Sequence, residues 1–205
     1  MCKTKVSVRS RDRLRASAQS LLDQRDAKSI TVTDIVGLAG VTRPTFYAAY
    51  GDLPTAIADA ALHRLTATFD EFSLDTEGPA SRHAGEMIAA FTQIATRVQD
   101  DAEFYLRATH GPGGMQILTS VNVFIAERLR SHSPLSRALQ NSPVPVELST
   151  SALAAGVTWI ALEWLSDPAG QSPSEFATAV RDLIVHAVNG GLARHDRELK
   201  VEEMR

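Results

Sequence analysis

The chain has 205 residues, 44% of them hydrophobic, one cysteine and a formal net charge of −3. A single cysteine excludes an internal disulfide framework, and the absence of an apolar stretch near the N-terminus argues against a secretory signal, so a cytoplasmic location is expected. Residues 1–50 hold nine Lys/Arg against four Asp, a net of +5, and the remainder carries a net of −8; a basic end on an acidic body points towards a polyanionic partner at that end.

Leu14, Ala18, Leu21 and Leu22 recur at helical spacing and predict a first helix over about 10–25. Arg9, Arg11, Arg13 and Arg15 spread charge around its start, so not all of it can face one partner. Thr31 with Asp34 three residues on forms a capping box. Ile35, Leu38 and Ala39 give the next helix one apolar face, and Gly40 stops it where a left-handed residue is needed. Thr42 is the following N-cap, Pro44 sits in the first turn, and Val41 and Phe46 fit a hydrophobic staple. Gly51 closes that helix, and Asp52 with Pro54 opens a longer one. Helices shorter than about 12–15 residues are marginal alone. Two such pieces joined by a glycine turn read as a helix-turn-helix whose second helix enters the DNA major groove. The alternative is a pair of small structural helices within an all-α core.

Further along, a helix over about 53–72 precedes a break at Glu77-Gly-Pro-Ala80, and Met87, Ile88, Phe91, Ile94, Ala95 and Val98 mark an amphipathic stretch. Phe104, Tyr105 and Leu106 begin a short segment that Gly111-Pro-Gly-Gly114 terminates. Helices are expected over 117–129 and, after Ser142-Pro-Val-Pro145, over about 146–166 and 173–193. No run has strand periodicity, so the chain is expected to be all-α, with about nine helices. The run Ala152–Leu162, ended by Glu163, is shorter than the ~20 residues that span a bilayer. The penultimate helix has two stripes: Leu153, Val157, Ile160 and Trp164, then Ala152, Ala155, Gly156 and Trp159. In the last, Phe176, Val180, Leu183, Ile184 and Ala187 form one, with Ala177, Val185 and Val188 beside it. Helices apolar on two sides need two partners, which predicts a homodimer through the last two helices; the alternative is full burial within one chain.

Ile30-Thr-Val-Thr-Asp-Ile35, Ala39-Gly-Val-Thr-Arg-Pro-Thr-Phe-Tyr47 and Tyr50-Gly-Asp52 resemble the TetR family of transcriptional regulators, over about a quarter of the chain. The resemblance implies a DNA-binding domain at 1–52 and a ligand-binding and dimerisation domain at 53–205. It implies that Thr33, Arg43, Pro44 and Thr45 approach bases of a double-stranded DNA operator, while Thr42, Tyr47 and Ala49 lie along phosphate. Tyr50 completes the set, its ring in the small core and its hydroxyl outside. Arg43 is the only long cation in the recognition helix, a side chain suited to bidentate contact with guanine. Two departures from the family stand out: Leu53 replaces a phosphate-holding lysine, and Ala48 and Ala49 stand where bulkier residues are frequent. An effector pocket is expected among Phe72, Met87, Phe91, Phe104, Tyr105, His110, Val123, Trp159 and Glu163, each of which also suits ordinary packing. Their character implies a hydrophobic or aromatic small molecule that releases a repressor from DNA.

The competing readings are a regulator governed by a protein partner and an all-α enzyme. The six histidines show no Glu-x-x-His or His-Glu-x-x-His spacing, and Gly111-Pro-Gly-Gly114 lacks the Lys-Ser/Thr of a phosphate-binding loop. Neither a catalytic residue, a metal site nor a cofactor is therefore assigned, and no membrane partner.

Overall fold

In the computed structural model the described residues are 7–72, 80–111, 113–131, 139–140, 144–167 and 170–202, without the side chains of 80–87 and 188–202. They form α1 (Val8–Leu22), α2 (Val32–Ala39), α3 (Arg43–Tyr50), α4 (Leu53–Glu71), α5 (Ala80–Asp100), α6 (Ala102–Thr109), α7 (Gly114–Ser131), α8 (Val146–Ser166) and α9 (Pro173–Glu202), with a 3-10 turn at Ala27–Ser29. No strand occurs among the described residues. Cys2, most of the breaks expected at 77–80 and 142–145, and the side chains of Met87 and Val188 lie outside them. The first helix starts and stops earlier than expected, because Ser7 caps it by accepting from the Ser10 amide at 3.1 Å and Asp23 ends it.

Two compact units emerge: residues 1–70 with 100–121, and residues 71–99 with 122–205. In the first, Leu14, Leu22, Ile35 and Phe46 are the largest fully buried side chains. Around them pack Ala18 of α1, Val36 and Ala39 of α2, and Ala56, Ile57, Ala60, Ala61 and Leu65 of α4. Leu38 departs from expectation: it is 56% exposed, and Val36 takes its place inside. A helix of two turns offers both positions beside Ile35, and periodicity alone does not choose between them.

The first unit also takes in α6 and the start of α7. Arg64 of α4 grips Asp23 at the end of α1 with two bonds of 2.7 and 2.9 Å, reaches Asp101 at 3.2 Å and stacks on Phe104 at 3.6 Å. Arg107 of α6 pairs with Glu103 and donates to the Asp23 carbonyl at 2.6 Å. At Gly111 a Cβ would fall 2.6 Å from the Ala27 Cβ and 3.2 Å from the Lys28 nitrogen, so only glycine allows this approach to the 3-10 turn.

The second unit is built on Leu129, Leu139, Val180 and Ile184, with Ile125, Val146, Leu153, Val157, Ile160 and Phe176 packed against them. Trp164 lies parallel to Phe176, ring centres 4.2 Å apart, and donates to the Gln171 carbonyl at 2.9 Å. Ser172 and Glu175 cap α9 reciprocally. As a whole, the 21-residue α8 is long and apolar enough to cross a membrane by length and composition, although its longest uninterrupted run is not. The stripe Leu153, Val157 and Ile160 packs on the core, whereas Ala152, Ala155, Gly156 and Trp159 are left uncovered. On α9, Ala177 is buried, and Leu183 and Ala187 are exposed.

Candidate nucleic-acid interface

Every junction of the short-helix segment is chemically closed. The Thr31 hydroxyl accepts from the Asp34 amide at 3.2 Å, and the Asp34 carboxylate accepts from the Thr31 amide at 2.9 Å. Hydrogen bonds from the Thr31 side chain and backbone, with Arg25 at 2.9 Å, hold the Asp34 carboxyl below its usual range. Gly40 ends α2 in the left-handed region, at φ 59° and ψ 42°. Thr42 caps α3 by accepting from the Thr45 amide at 3.4 Å, and Pro44 lies in the first turn. Gly51 then turns the chain at φ 78°, and Asp52 accepts from the Thr55 amide at 2.8 Å to start α4.

This construction leaves the start of α3 open. Thr33, Thr42, Arg43 and Pro44 are exposed, Tyr47 is half exposed, and Thr45 and Ala49 are half-buried. The opposite face carries Phe46 and Tyr50 into the core. Arg43 does not hang free: its Nη2 donates to Thr33 Oγ1 at 2.6 Å. A helix N-terminus with its unpaired amides also favours phosphate.

Tyr50 corrects the expectation of an outward hydroxyl. The residue is only 7% exposed, and its hydroxyl donates to Asp59 Oδ2 at 2.9 Å. Asp59, on α4, also accepts from Arg15 Nε at 2.6 Å and from Arg11 Nη2 at 3.1 Å. Arg11 lies over the Tyr50 ring, 5.0 Å from its centre. One carboxylate thus ties α1, α3 and α4 together, and Tyr50 anchors α3 from behind. Burial pushes the Tyr50 hydroxyl up to about 12, with the Asp59 charge adding to it. Burial works against the Asp59 carboxylate, but the hydrogen bonds of Arg15 and Tyr50 prevail and hold it below its usual range.

The same network divides the arginines of α1. Arg11 and Arg15 pair with Asp59, Arg15 half-buried and Arg11 still exposed, whereas Arg9 and Arg13 are exposed on another face. Arg25 is paired with Asp34, and Lys28 with Asp26 at 3.3 Å. Among the described residues, Arg9, Arg13 and Arg43 have no carboxylate partner. Leu53, in place of the family's lysine, is half-buried at the start of α4. Asp59 is the residue the sequence did not single out; the available signal was a lone acid in the apolar run Ala56–Leu62.

No family model and no curated protein matches the sequence. A crystal structure of a TetR-family transcriptional regulator from Streptomyces coelicolor is similar, with a TM-score of 0.57 over 94% of this chain and 85% of that one, at 19% identity. The chain has the TetR-family fold. At that identity the likeness concerns architecture, and the sequence-specific features of the short-helix segment stand on their own.

Within this TetR fold the expected effector residues are divided between the two units. Phe104 and Tyr105 are core residues of the first unit, their rings edge-to-face at 5.3 Å, and burial raises the Tyr105 hydroxyl above its ordinary value. Phe72 and Phe91 are half-buried in the second unit. His110, Val123, Trp159 and Glu163 are exposed in the single chain, Val123 at 67% and Trp159 at 60%. The inward positions of α7 are taken by Ile125 and Leu129, and those of α8 by Thr150, Ala154 and Thr158. Trp159 instead donates to Glu163 at 2.9 Å across one outward helical turn.

Proposed function

We propose that this protein is a DNA-binding transcriptional regulator of the TetR type, acting as a homodimer on a palindromic operator. The observation that carries the reading is the open start of α3. There an arginine with no carboxylate partner, a proline and two threonines project beside Thr33 from a helix anchored behind by Phe46 and Tyr50. Arg43 suits the O6/N7 edge of guanine, Pro44 and Thr45 suit a thymine methyl, and Thr42, Tyr47 and Ala49 flank phosphate.

The dimer is assigned to the uncovered stripe Ala152, Ala155, Gly156 and Trp159 of α8 with Leu183 and Ala187 of α9. A two-fold pair of such faces makes a four-helix bundle and allows recognition helices about 34–36 Å apart to enter successive major grooves. Repression by promoter occlusion, relieved by a small apolar or aromatic effector, completes the proposal. Phe72 and Phe91 are two of the half-buried aromatic residues of the second unit that suit such a molecule. An effector acts by binding the DNA-incompetent state more tightly.

Selection from a random duplex library with the wild-type protein tests this reading. Enrichment of one two-fold symmetric site is expected. Recovery of duplexes without any common sequence would overturn it.

A further inference from the structure

We infer that Thr33 of α2 is a positioning residue for Arg43, setting the guanidinium that reads the base; this rests on the proposed role of Arg43 as the base reader. The bond from Arg43 Nη2 to Thr33 Oγ1 is 2.6 Å and crosses the turn between the two short helices. Both of its ends stand on capped helix starts. Thr33 lies in the first turn of α2, whose entry is locked by Thr31, Asp34 and Arg25. Arg43 opens α3, held by the Thr42 cap and by Pro44.

The neighbouring hydroxyls do not compete for the guanidinium. Thr42 and Thr45 face each other at 2.9 Å, and no carboxylate among the described residues pairs with Arg43. An arginine has four flexible torsions, and its planar fork recognises guanine only in a fixed orientation. One N–H of the five is given to Thr33, which fixes the plane and leaves the other donors for a base edge. Thr33 is thereby assigned an action on sequence preference through Arg43, in place of a touch of its own on DNA. Preorganisation of this kind raises discrimination without adding a contact.

The test is a double-mutant cycle on the duplex enriched by the wild-type protein from a random library. It is paired with the same duplex carrying each half-site G·C pair changed to A·T, and with poly(dI-dC) as non-specific DNA. Thr33→Val keeps the shape and removes the acceptor. It is expected to lower the preference for the enriched duplex over its guanine-substituted forms by about three- to tenfold, as the loss of one hydrogen bond implies. Binding to poly(dI-dC) and the urea midpoint should stay unchanged, and Thr33→Ser should retain the wild-type preference. In an Arg43→Ala background, Thr33→Val should change nothing further. Equal effects of Thr33→Val in both backgrounds, or equal losses on specific and non-specific DNA, would overturn the inference and leave Arg43 as reader. An Arg43→Ala protein with unaltered base preference would overturn the reading of Arg43 and the inference with it.

Discussion

Replacing Tyr50 by Phe removes one hydroxyl and should loosen the recognition helix from behind. The ring stays buried against Phe46, 5.8 Å away, so the apolar packing of α3 is preserved. The loss is the hydroxyl's 2.9 Å bond to the Asp59 carboxylate, which retains Arg15 and Arg11, together with its longer contact of 3.4 Å to the Arg11 carbonyl. Bonds to charged groups contribute about 1.5–3 kcal/mol, and freeing the buried hydroxyl from desolvation offsets part, leaving an expected cost of about 1–2 kcal/mol. Because the chain has two compact units, a single unfolding midpoint averages over them. Native-state hydrogen exchange resolves the effect: the amides of α3 should lose about 5- to 30-fold in protection, while those of α8 stay unchanged. Protection of α3 within about twofold of wild type would refute the anchoring role of Tyr50, since so small a change lies below the cost of one such bond. Asp59→Asn should cost more, about 2–4 kcal/mol, because a largely shielded charge shared by Arg15 and Arg11 is lost and Arg15 keeps only Asp12, at 3.2 Å.

Four further outcomes follow from the same geometry. Since Asp59 is held below its unfolded value of about 3.9, its stabilisation is complete above that pH and lost as pH falls through the lower folded value; Asp59→Asn should flatten the acid limb of urea midpoint against pH. Thr42→Ala removes the α3 cap and should cost about 1 kcal/mol in urea denaturation and weaken operator binding, whereas Thr42→Ser should not. Gly40→Ala forces a Cβ onto a residue at φ 59° and should destabilise by about 1 kcal/mol, with Arg13 displaced from the Gly40 carbonyl. Trp159→Glu places a second acid beside Glu163 on the uncovered face of α8 and should shift sedimentation from dimer to monomer; an unchanged dimer would remove that face from the interface.

What could be read in advance divides by the range of the physics involved. The caps at Thr31, Gly40, Thr42 and Gly51 were legible because each is closed by residues within about four positions along the chain. The inward turn of the Tyr50 hydroxyl was not, since its acceptor lies on the next helix and is chosen by how α1, α3 and α4 pack. The arginines of α1 show both cases. Their alternation showed that not all of them can face one partner, but only Asp59 decides that Arg11 and Arg15 are the two it takes. On α8 the two apolar stripes were visible, yet nothing in the periodicity told which one the chain covers for itself. The inclusion of α6 in the first unit rests on Gly111 against Ala27 and on Arg64 with Asp23 and Asp101, all contacts distant in sequence.

The central claim is that the start of α3 presents Arg43 to base edges. Binding-site selection with Arg43→Ala beside the wild type tests it most directly. The account predicts that the variant, with unchanged helix content, loses discrimination at one G·C pair in each half-site, worth about 1–3 kcal/mol there. Selection of the same sequence by both proteins, at the same stringency, would contradict it.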